Sequence, residues 1–296
     1  MVFMIFVLWV VSVLMFSMSR FRGDPRLMYL TPHTTKAQWE AWGREMGLDK
    51  PLVVQYGVWA AKAVRLELGD SLWEKRPVTK TISEKIPATV KLSLVTLIFA
   101  LIGLPLGVLS AVNRGSFWDY LGRTIAIFGQ ALPSFWVGLV LILIFSVQFD
   151  LLPAAKMGGP LNYVMPTITL GWWFTAAVLR LVRSSMLTVL DEEYIKLARA
   201  KGVTRNMVIW KHAFKNAATA PLHFFGLIAG SLISGAVVTE AVFGWPGVGR
   251  LTIESVLHND FPTLVGLTLL FSVSFVTFNL VADVLNAVID PRIKYG

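Results

Sequence analysis

Few side chains in this sequence could do catalytic chemistry. The four histidines, His33, His212, His223 and His258, stand far apart with no ligand spacing, and the chain has no cysteine. Neither a metal site nor a thiol nucleophile is expected from them. A G-x-x-x-x-G-K-[ST] phosphate loop is absent and no Gly-Lys pair occurs anywhere, so any ATP must be hydrolysed by another chain. No G-x-S-x-G nucleophile elbow occurs either. No catalytic residue, metal ligand or cofactor site is therefore assigned. Two other runs carry chemistry of a different kind. Residues 191–202, DEEYIKLARAKG, open with acid and close with base, which matches the polarity of a helix dipole. Gln130-Ala131-Leu132-Pro133-Ser134-Phe135-Trp136 sets polar groups and a proline inside an apolar stretch.

The elements that must hold these runs follow from composition. The chain has 296 residues, a net charge of +9, 55% hydrophobic residues and 15% charged ones, where a soluble domain carries about 25% charge. Residues 1–19, 92–112, 124–149, 157–179, 216–239 and 261–282 contain no Asp, Glu, Lys or Arg. Each is near or above the roughly 18–20 residues that cross a bilayer core as a helix. They are too long for barrel strands, and inside lipid only a helix satisfies its own backbone. A soluble enzyme, a disordered chain and a disulfide-stapled domain are excluded. The sequence reads as an all-α polytopic membrane protein with six transmembrane helices. Gly158, Gly159 and Pro160 set the start of the fourth near Val164. The first lacks the basic leader of a secretory signal peptide. No charge precedes it, which suggests that a few upstream residues are missing from the start.

Orientation comes from Lys and Arg in the short loops. Arg183, Lys196, Arg199, Lys201, Arg205, Lys211 and Lys215 crowd one loop, with Arg114 and Arg123 in another and Arg292 and Lys294 in the tail. The opposite short loops hold only Lys156 and Arg250. With six spans both termini then lie in the cytoplasm. Residues 20–88 fall outside, since a loop of that length crosses largely regardless of charge. The positive charge is a topology signal, and no nucleic-acid partner is expected.

The outer loop reads as a small helical domain. Trp39, Trp42 and Met46 fall at helical spacing before Gly47; a second helix opens at Pro51 and runs to Gly69; a third follows Pro77 and ends before Pro87. In the spans, Gly103 with Gly107 and Gly226 with Gly230 form small-xxx-small pairs suited to close helix crossing. Pro105 and Pro133 lie within spans two and three, where the missing backbone bond must be covered. Gln130 and Ser134 face either a hydrated path or an ordinary kinked interface. Glu240 and Asp283 sit toward span ends, as interfacial groups paired with a cation or helix end, or in a transport role.

In the basic loop Leu190, Tyr194, Leu197 and Ala198 share one helical face, Gly202 suits a left-handed stop, and Thr204 can cap a second helix. That helix places Met207, Trp210, Phe214 and Ala217 on one apolar side. Periodicity alone supports a lipid-surface hairpin and a protein-docking hairpin equally.

The segment EYIKLARAKGVTRNMVIWKHAFKNA resembles the coupling (EAA) loop of binding-protein-dependent ABC importer permeases. Arg22-Gly23-Asp24-Pro25, GLDKPLVVQY, LGDS, IPATVKLSL, LPSFW, TEAVFGWPGVGR and the closing DPRIKY extend the likeness to the dipeptide/oligopeptide (peptide/nickel) branch in order along nearly the whole chain. Lys196 and Leu197 stand where the general EAA pattern has Glu and Ala.

The resemblance implies a type I importer permease fold. Its parts would be a first transmembrane helix at 1–19, an extracytoplasmic loop at 20–88, a five-helix core at 89–290 with the cytoplasmic coupling loop 190–219, and a tail at 291–296. It implies that Tyr194, Ala198, Arg199, Ala200, Lys201 and Gly202 engage an ATPase. Gln130, Ser134, Phe135 and Trp136 would belong to the translocation path, and Trp245, Pro246 and Gly247 would face the binding protein. The implied partners are a second homologous permease subunit (a heterodimer), two ABC ATPase subunits, an extracytoplasmic solute-binding protein and membrane lipid. Nickel or oligosaccharide import by the same family, a secondary carrier without ATPase and a non-transporting scaffold remain alternatives.

Overall fold

The structure, a computed structural model, describes residues 2–21, 26, 34–45 and 47–289. Residues 22–25, 27–33, Met46, residues 290–296 and the side chain of Asp283 lie outside that description, and with them the RGDP and DPRIKY segments. In chain order the helices are α1 (Val2–Phe21), α2 (Lys36–Glu45), α3 (Leu52–Val64), α4 (Val78–Ala100), α5 (Gly103–Val112), α6 (Phe117–Ala131) and α7 (Ser134–Leu141), which continues as a π-helical stretch over Ile142–Gln148. Then come α8 (Leu161–Leu190), α9 (Glu193–Ala200), α10 (Arg205–Met207), a second π-helical stretch (Val208–Phe214), α11 (Lys215–Ala217), α12 (Thr219–Gly235), α13 (Val237–Val242), α14 (Val248–Leu257) and α15 (Phe261–Ile289). Among the described residues the one extended pairing is an isolated antiparallel bridge between Asp70 and Pro77.

Val78–Val112, Leu161–Leu190 and Phe261–Ala282 are long and apolar enough to cross a bilayer. Two bent helix pairs pass the same test when each is taken together: α6 with α7 and its π-helical extension, bent by 105°, and Arg205–Ala217 with Thr219–Ser234, bent by 52°. The shorter apolar helix Met4–Met18 completes the six expected apolar segments.

The chain divides into two compact units, Met1–Ile86 with Leu251–Val273, and Pro87–Arg250 with Ser274–Gly296. In the first, Thr35 and Gln38 form a reciprocal capping box that starts α2. α3 lies against α1, with Phe16 buried beside the rings of Tyr56 and Trp59. The second outer helix stops at Val64 rather than Gly69, because Leu66 turns back with φ +61°. The third helix does begin after Pro77, but it does not end before Pro87. α4 runs through that proline to Ala100, losing one backbone bond where ending the helix would have exposed four carbonyls. Asp260 gathers this unit's loops, accepting hydrogen bonds from the Ser71 hydroxyl (2.5 Å), the Leu72 amide (3.0 Å) and the Thr263 hydroxyl (2.7 Å).

The second unit is built on α8. A β-carbon on Gly103 would stand 2.6 Å from the Thr175 carbonyl, and one on Gly107 would stand 2.6 Å from Val182 Cβ. Only glycine lets α5 approach α8 so closely. The turn at Leu101–Ile102 also moves Pro105 into the first turn of α5, where an N–H has no intrahelical partner to lose. Gly226 and Gly230 likewise face Ala282 and Phe278 of α15. α8 itself starts at Leu161, three residues before the expected Val164, directly after Pro160. Leu92, Val178, Val182, Met186, Ile228 and Leu232 form the centre of this core.

Candidate functional site

The hairpin after α8 closes on a glycine. Gly202 has φ +77°, and its amide donates to the Arg199 carbonyl (3.0 Å) while the Val203 amide donates to the Ala198 carbonyl (3.2 Å). These paired bonds form a Schellman stop, available because glycine has no β-carbon to oppose the left-handed conformation. Thr204 stands at the next N-cap without a side-chain capping bond. Asn216 ties the ends of the hairpin, its Nδ2 donating to the Tyr194 hydroxyl (3.0 Å) and the His212 carbonyl (2.8 Å).

The faces differ from those expected. Ile195 is buried and anchors α9 inward, and the expected shared face divides: Leu190 and Ala198 are half-buried against the same core, whereas Tyr194 and Leu197 are exposed. On the second helix the π-helical stretch widens the turn, so the register drifts from a 3.6-residue period. Val208, Ala213 and Ala217 then point inward while Met207 and Trp210 are exposed. Tyr194, Leu197, Met207 and Trp210 thus present apolar surface, with Arg199, Ala200, Lys201 and Gly202 exposed at the tip.

At the break in span three the chain bends at Leu132–Pro133. Gln130 and Ser134 come together there, lining a cavity of about 370 Å³ with Pro133, Leu170, Trp173 and Phe174. Phe135 and Trp136 are exposed and do not line it.

The third predicted group is a packed turn. Trp245 is fully buried, its indole N–H donating to the Ala88 carbonyl (2.9 Å) and its ring meeting Tyr163 edge-on. Gly247 is buried and Pro246 partly exposed. Beneath the turn Glu240 is fully buried and accepts from the Thr89 hydroxyl (2.6 Å) and from the amides of Gly249 (2.8 Å) and Arg250 (3.1 Å). Thr89 in turn accepts from the Val248 amide (2.9 Å). Glu240 therefore satisfies the open N-terminal amides of α14, where a negative charge is favoured.

Sequence reasoning missed one ionic centre. Asp119, fully buried, accepts from Arg183 Nε (2.7 Å), Arg123 Nη2 (2.5 Å), the Ser110 hydroxyl (3.0 Å) and the Gly115 amide (3.0 Å). Only the Asp119–Arg123 spacing of four was legible in advance. Among the described residues no three His, Asp or Glu side chains gather as a metal site.

Residues 103–295 match the family described as "Binding-protein-dependent transport system inner membrane component". The chain is similar to the glutathione transport system permease protein GsiC of Escherichia coli strain K12, 38% identical over 290 residues, covering 97% of this chain and 95% of the relative. GsiC of Pectobacterium atrosepticum is 38% identical over 274 residues, covering 92% and 90%. Among solved structures, the inward-facing MetNI methionine ABC transporter matches with TM-score 0.60 at 18% identity, covering 72% of this chain and 98% of that one. An amino acid ABC transporter with histidines matches with TM-score 0.51 at 19% identity, covering 73% and 95%.

Proposed function

Because this chain belongs to the family of binding-protein-dependent transport system inner membrane components, and is thus a multi-pass ABC importer permease with the type I fold and not itself an enzyme, we propose that its cargo is a short peptide or glutathione-like solute. The coverage of the glutathione permeases, at 38% identity over nearly the whole length, supports that cargo.

The observation that carries the mechanism is the hairpin 193–217, whose exposed Tyr194, Leu197, Met207 and Trp210 surround the basic tip of Arg199 and Lys201. That surface seats in a cleft of an ATPase subunit, which supplies the nucleotide chemistry. α9 follows α8 after two residues, and Ile195 packs into the same core as Val182 and Met186. Closure of two ATPases moves the hairpin, and the hairpin moves α8 as a rigid body. The coupling is a difference in how each partner binds the two states of this lever.

The path lies at the interface with a second, homologous permease, near Gln130 and Ser134. Both termini face the cytoplasm, and lipid surrounds the spans. An extracytoplasmic binding protein meets the outer loop and the Gly244–Gly249 turn, where contact falls to Pro246 because the Trp245 ring is buried.

The test is reconstitution of the permease pair with its ATPases and binding protein in proteoliposomes, with photocrosslinkers at Arg199 and Lys201. ATP-dependent uptake of alanylalanine or glutathione, with crosslinks to the ATPase, is expected. Crosslinks that reach only phospholipid would overturn the coupling role. Uptake driven by a proton gradient without ATP would overturn the mechanism.

A further inference from the structure

One cavity lies apart from the hairpin and from the bend of span three. It holds about 650 Å³ between α1, α3, the start of α4 and α15. Leu8, Trp9, Trp59, Ala63, Ile82 and Leu270 are among its walls, and no Asp, Glu, Lys or Arg lines it. Three of its four lining hydroxyls are already engaged. Ser12 donates to the Trp9 carbonyl (2.7 Å) and shares a hydrogen bond with Tyr56 (2.8 Å), and Ser83 donates to the Lys80 carbonyl (3.0 Å). A buried water needs several polar partners, which this space does not offer, so its contents are apolar.

α3 is apolar on every side. Beyond Gln55, Lys62 and the polar tips of Tyr56 and Trp59 it carries only Leu, Val and Ala side chains and Gly57. Tyr56, Trp59, Ala60 and Ala63 face the cavity, while Leu52, Val53, Val54 and Val58 are exposed elsewhere on the helix. Such a helix is stable in lipid or under protein, not in water. The other three walls belong to the apolar segments Met4–Met18, Val78–Val112 and Phe261–Ala282, whose surroundings are hydrocarbon. Val64 and Leu66 form an exposed edge of the cavity. Lys62 and Arg65 interleave with them along the chain and are exposed, and among the described residues neither has a carboxylate partner; Glu67, the nearest acid in sequence, pairs with neither. An apolar slot edged by two unpaired cations fits a hydrocarbon chain beneath an anionic phosphate. We propose that the cavity holds one acyl chain of a membrane phospholipid, with its phosphate set against Lys62 and Arg65, and that α3 lies in lipid. The acyl chain fills the space that side chains leave between these four helices.

The experiment uses the complete transporter reconstituted in vesicles of phosphatidylethanolamine and phosphatidylglycerol. The probe is a phosphatidylglycerol with a diazirine at the end of one acyl chain, and its light-driven adducts are mapped by peptide mass spectrometry. Adducts are expected on the cavity walls, at Trp59, Ala63 and Leu270, and on the outer side of α3, at Val53 and Val58. Ala60→Phe with Ala63→Phe fills the cavity and should abolish the adduct at Leu270 while sparing those at Val53 and Val58. Leu270→Trp fills it from the opposite wall and should abolish the adducts at Trp59 and Ala63. Gel filtration reads assembly of each variant, so one that fails to assemble leaves the other decisive. Lys62→Gln with Arg65→Gln should lower wall labelling by up to about fivefold, as exposed ion pairs allow. A diacylglycerol probe, which has no phosphate, should show no such dependence. Wall adducts that persist in both filled variants come from surrounding lipid and overturn the site. Adducts at Val53 and Val58 with none on the walls overturn the occupant. No adduct anywhere on α3 places that helix under protein or in water and overturns the whole assignment. Labelling does not depend on the cargo, so each of these results leaves the importer reading standing.

Discussion

Arg183 Nε donates to Asp119 Oδ1 at 2.7 Å across 64 residues of sequence. This contact fixes the start of α6 against α8, two turns before α8 ends at Leu190 and the hairpin begins. Asp119 has no exposed surface and Arg183 has 19% of its side chain exposed, so the pair is shielded and both of the carboxylate's oxygens are hydrogen-bonded.

Asp119→Asn keeps the shape and removes the charge, leaving Arg183 without its counter-ion. A loss of about 3 kcal/mol is expected, as for breaking a buried pair from one side. Thermal unfolding in detergent measures it. Adding Arg183→Met should cost less than the sum of the two single changes, because the two residues share one interaction.

A β-carbon on Gly247 would collide with both Glu240 carboxylate oxygens and with Thr89 Oγ1. Gly247→Ala must therefore open the hydrogen bonds that hold α14, at a cost of about 2 kcal/mol or more. Gly159→Ala, with nothing within 4 Å, is the control and should leave the unfolding temperature near that of the parent.

Gly202 has φ +77°, and a β-carbon added there would meet nothing within 4 Å, so substitution acts through the backbone and not through crowding. Gly202→Asn should be nearly silent, and Gly202→Ala should strain the turn by about 1 kcal/mol. Gly202→Pro cannot adopt this φ and loses the amide bond to Arg199. Membrane insertion should survive in the proline variant while uptake and solute-stimulated ATP hydrolysis fall together, both read in proteoliposomes. Normal uptake would contradict the lever.

Burial raises the pKa of Glu74, but hydrogen bonds from Arg76 and Thr81 and the charges of Arg76 and Lys85 outweigh it and hold the carboxyl below its usual range. A lowered pKa in the folded state adds stability above the unfolded value, and that stability is lost as pH falls through the folded one. Glu74→Gln should thus unfold at a slightly lower temperature than the parent at neutral pH. The gap should close as pH falls through the lowered pKa of the folded carboxyl. The effect is small because Arg76 and Glu74 both reach solvent.

The apolar segments, the glycine stop at 202 and the packing glycines at 103 and 107 were legible because each is a local property. A span needs only length without charge, a left-handed turn needs a residue without a β-carbon, and a close crossing needs two small residues one turn apart. The helix through Pro87 was not legible, since proline reads as a boundary until the surrounding helix is known to tolerate the lost bond. The inward side of the coupling hairpin was not legible for a similar reason. A π-helical stretch over Val208–Phe214 has no composition signal, yet it turns Trp210 outward and Ala213 inward.

By itself the sequence determined that the chain lives in a membrane, how many times its apolar segments recur, and where a basic hairpin leaves the spans. Hydropathy and charge act residue by residue, so order along the chain is enough to read them. Only the tertiary structure decided that Asp119 meets Arg183, that Glu240 closes α14 through Thr89, and that Trp245 lies inside the turn and not on it. Those relations join groups 64, 151 and 157 residues apart. They exist because packing brings complementary donors and acceptors together where water cannot substitute for them.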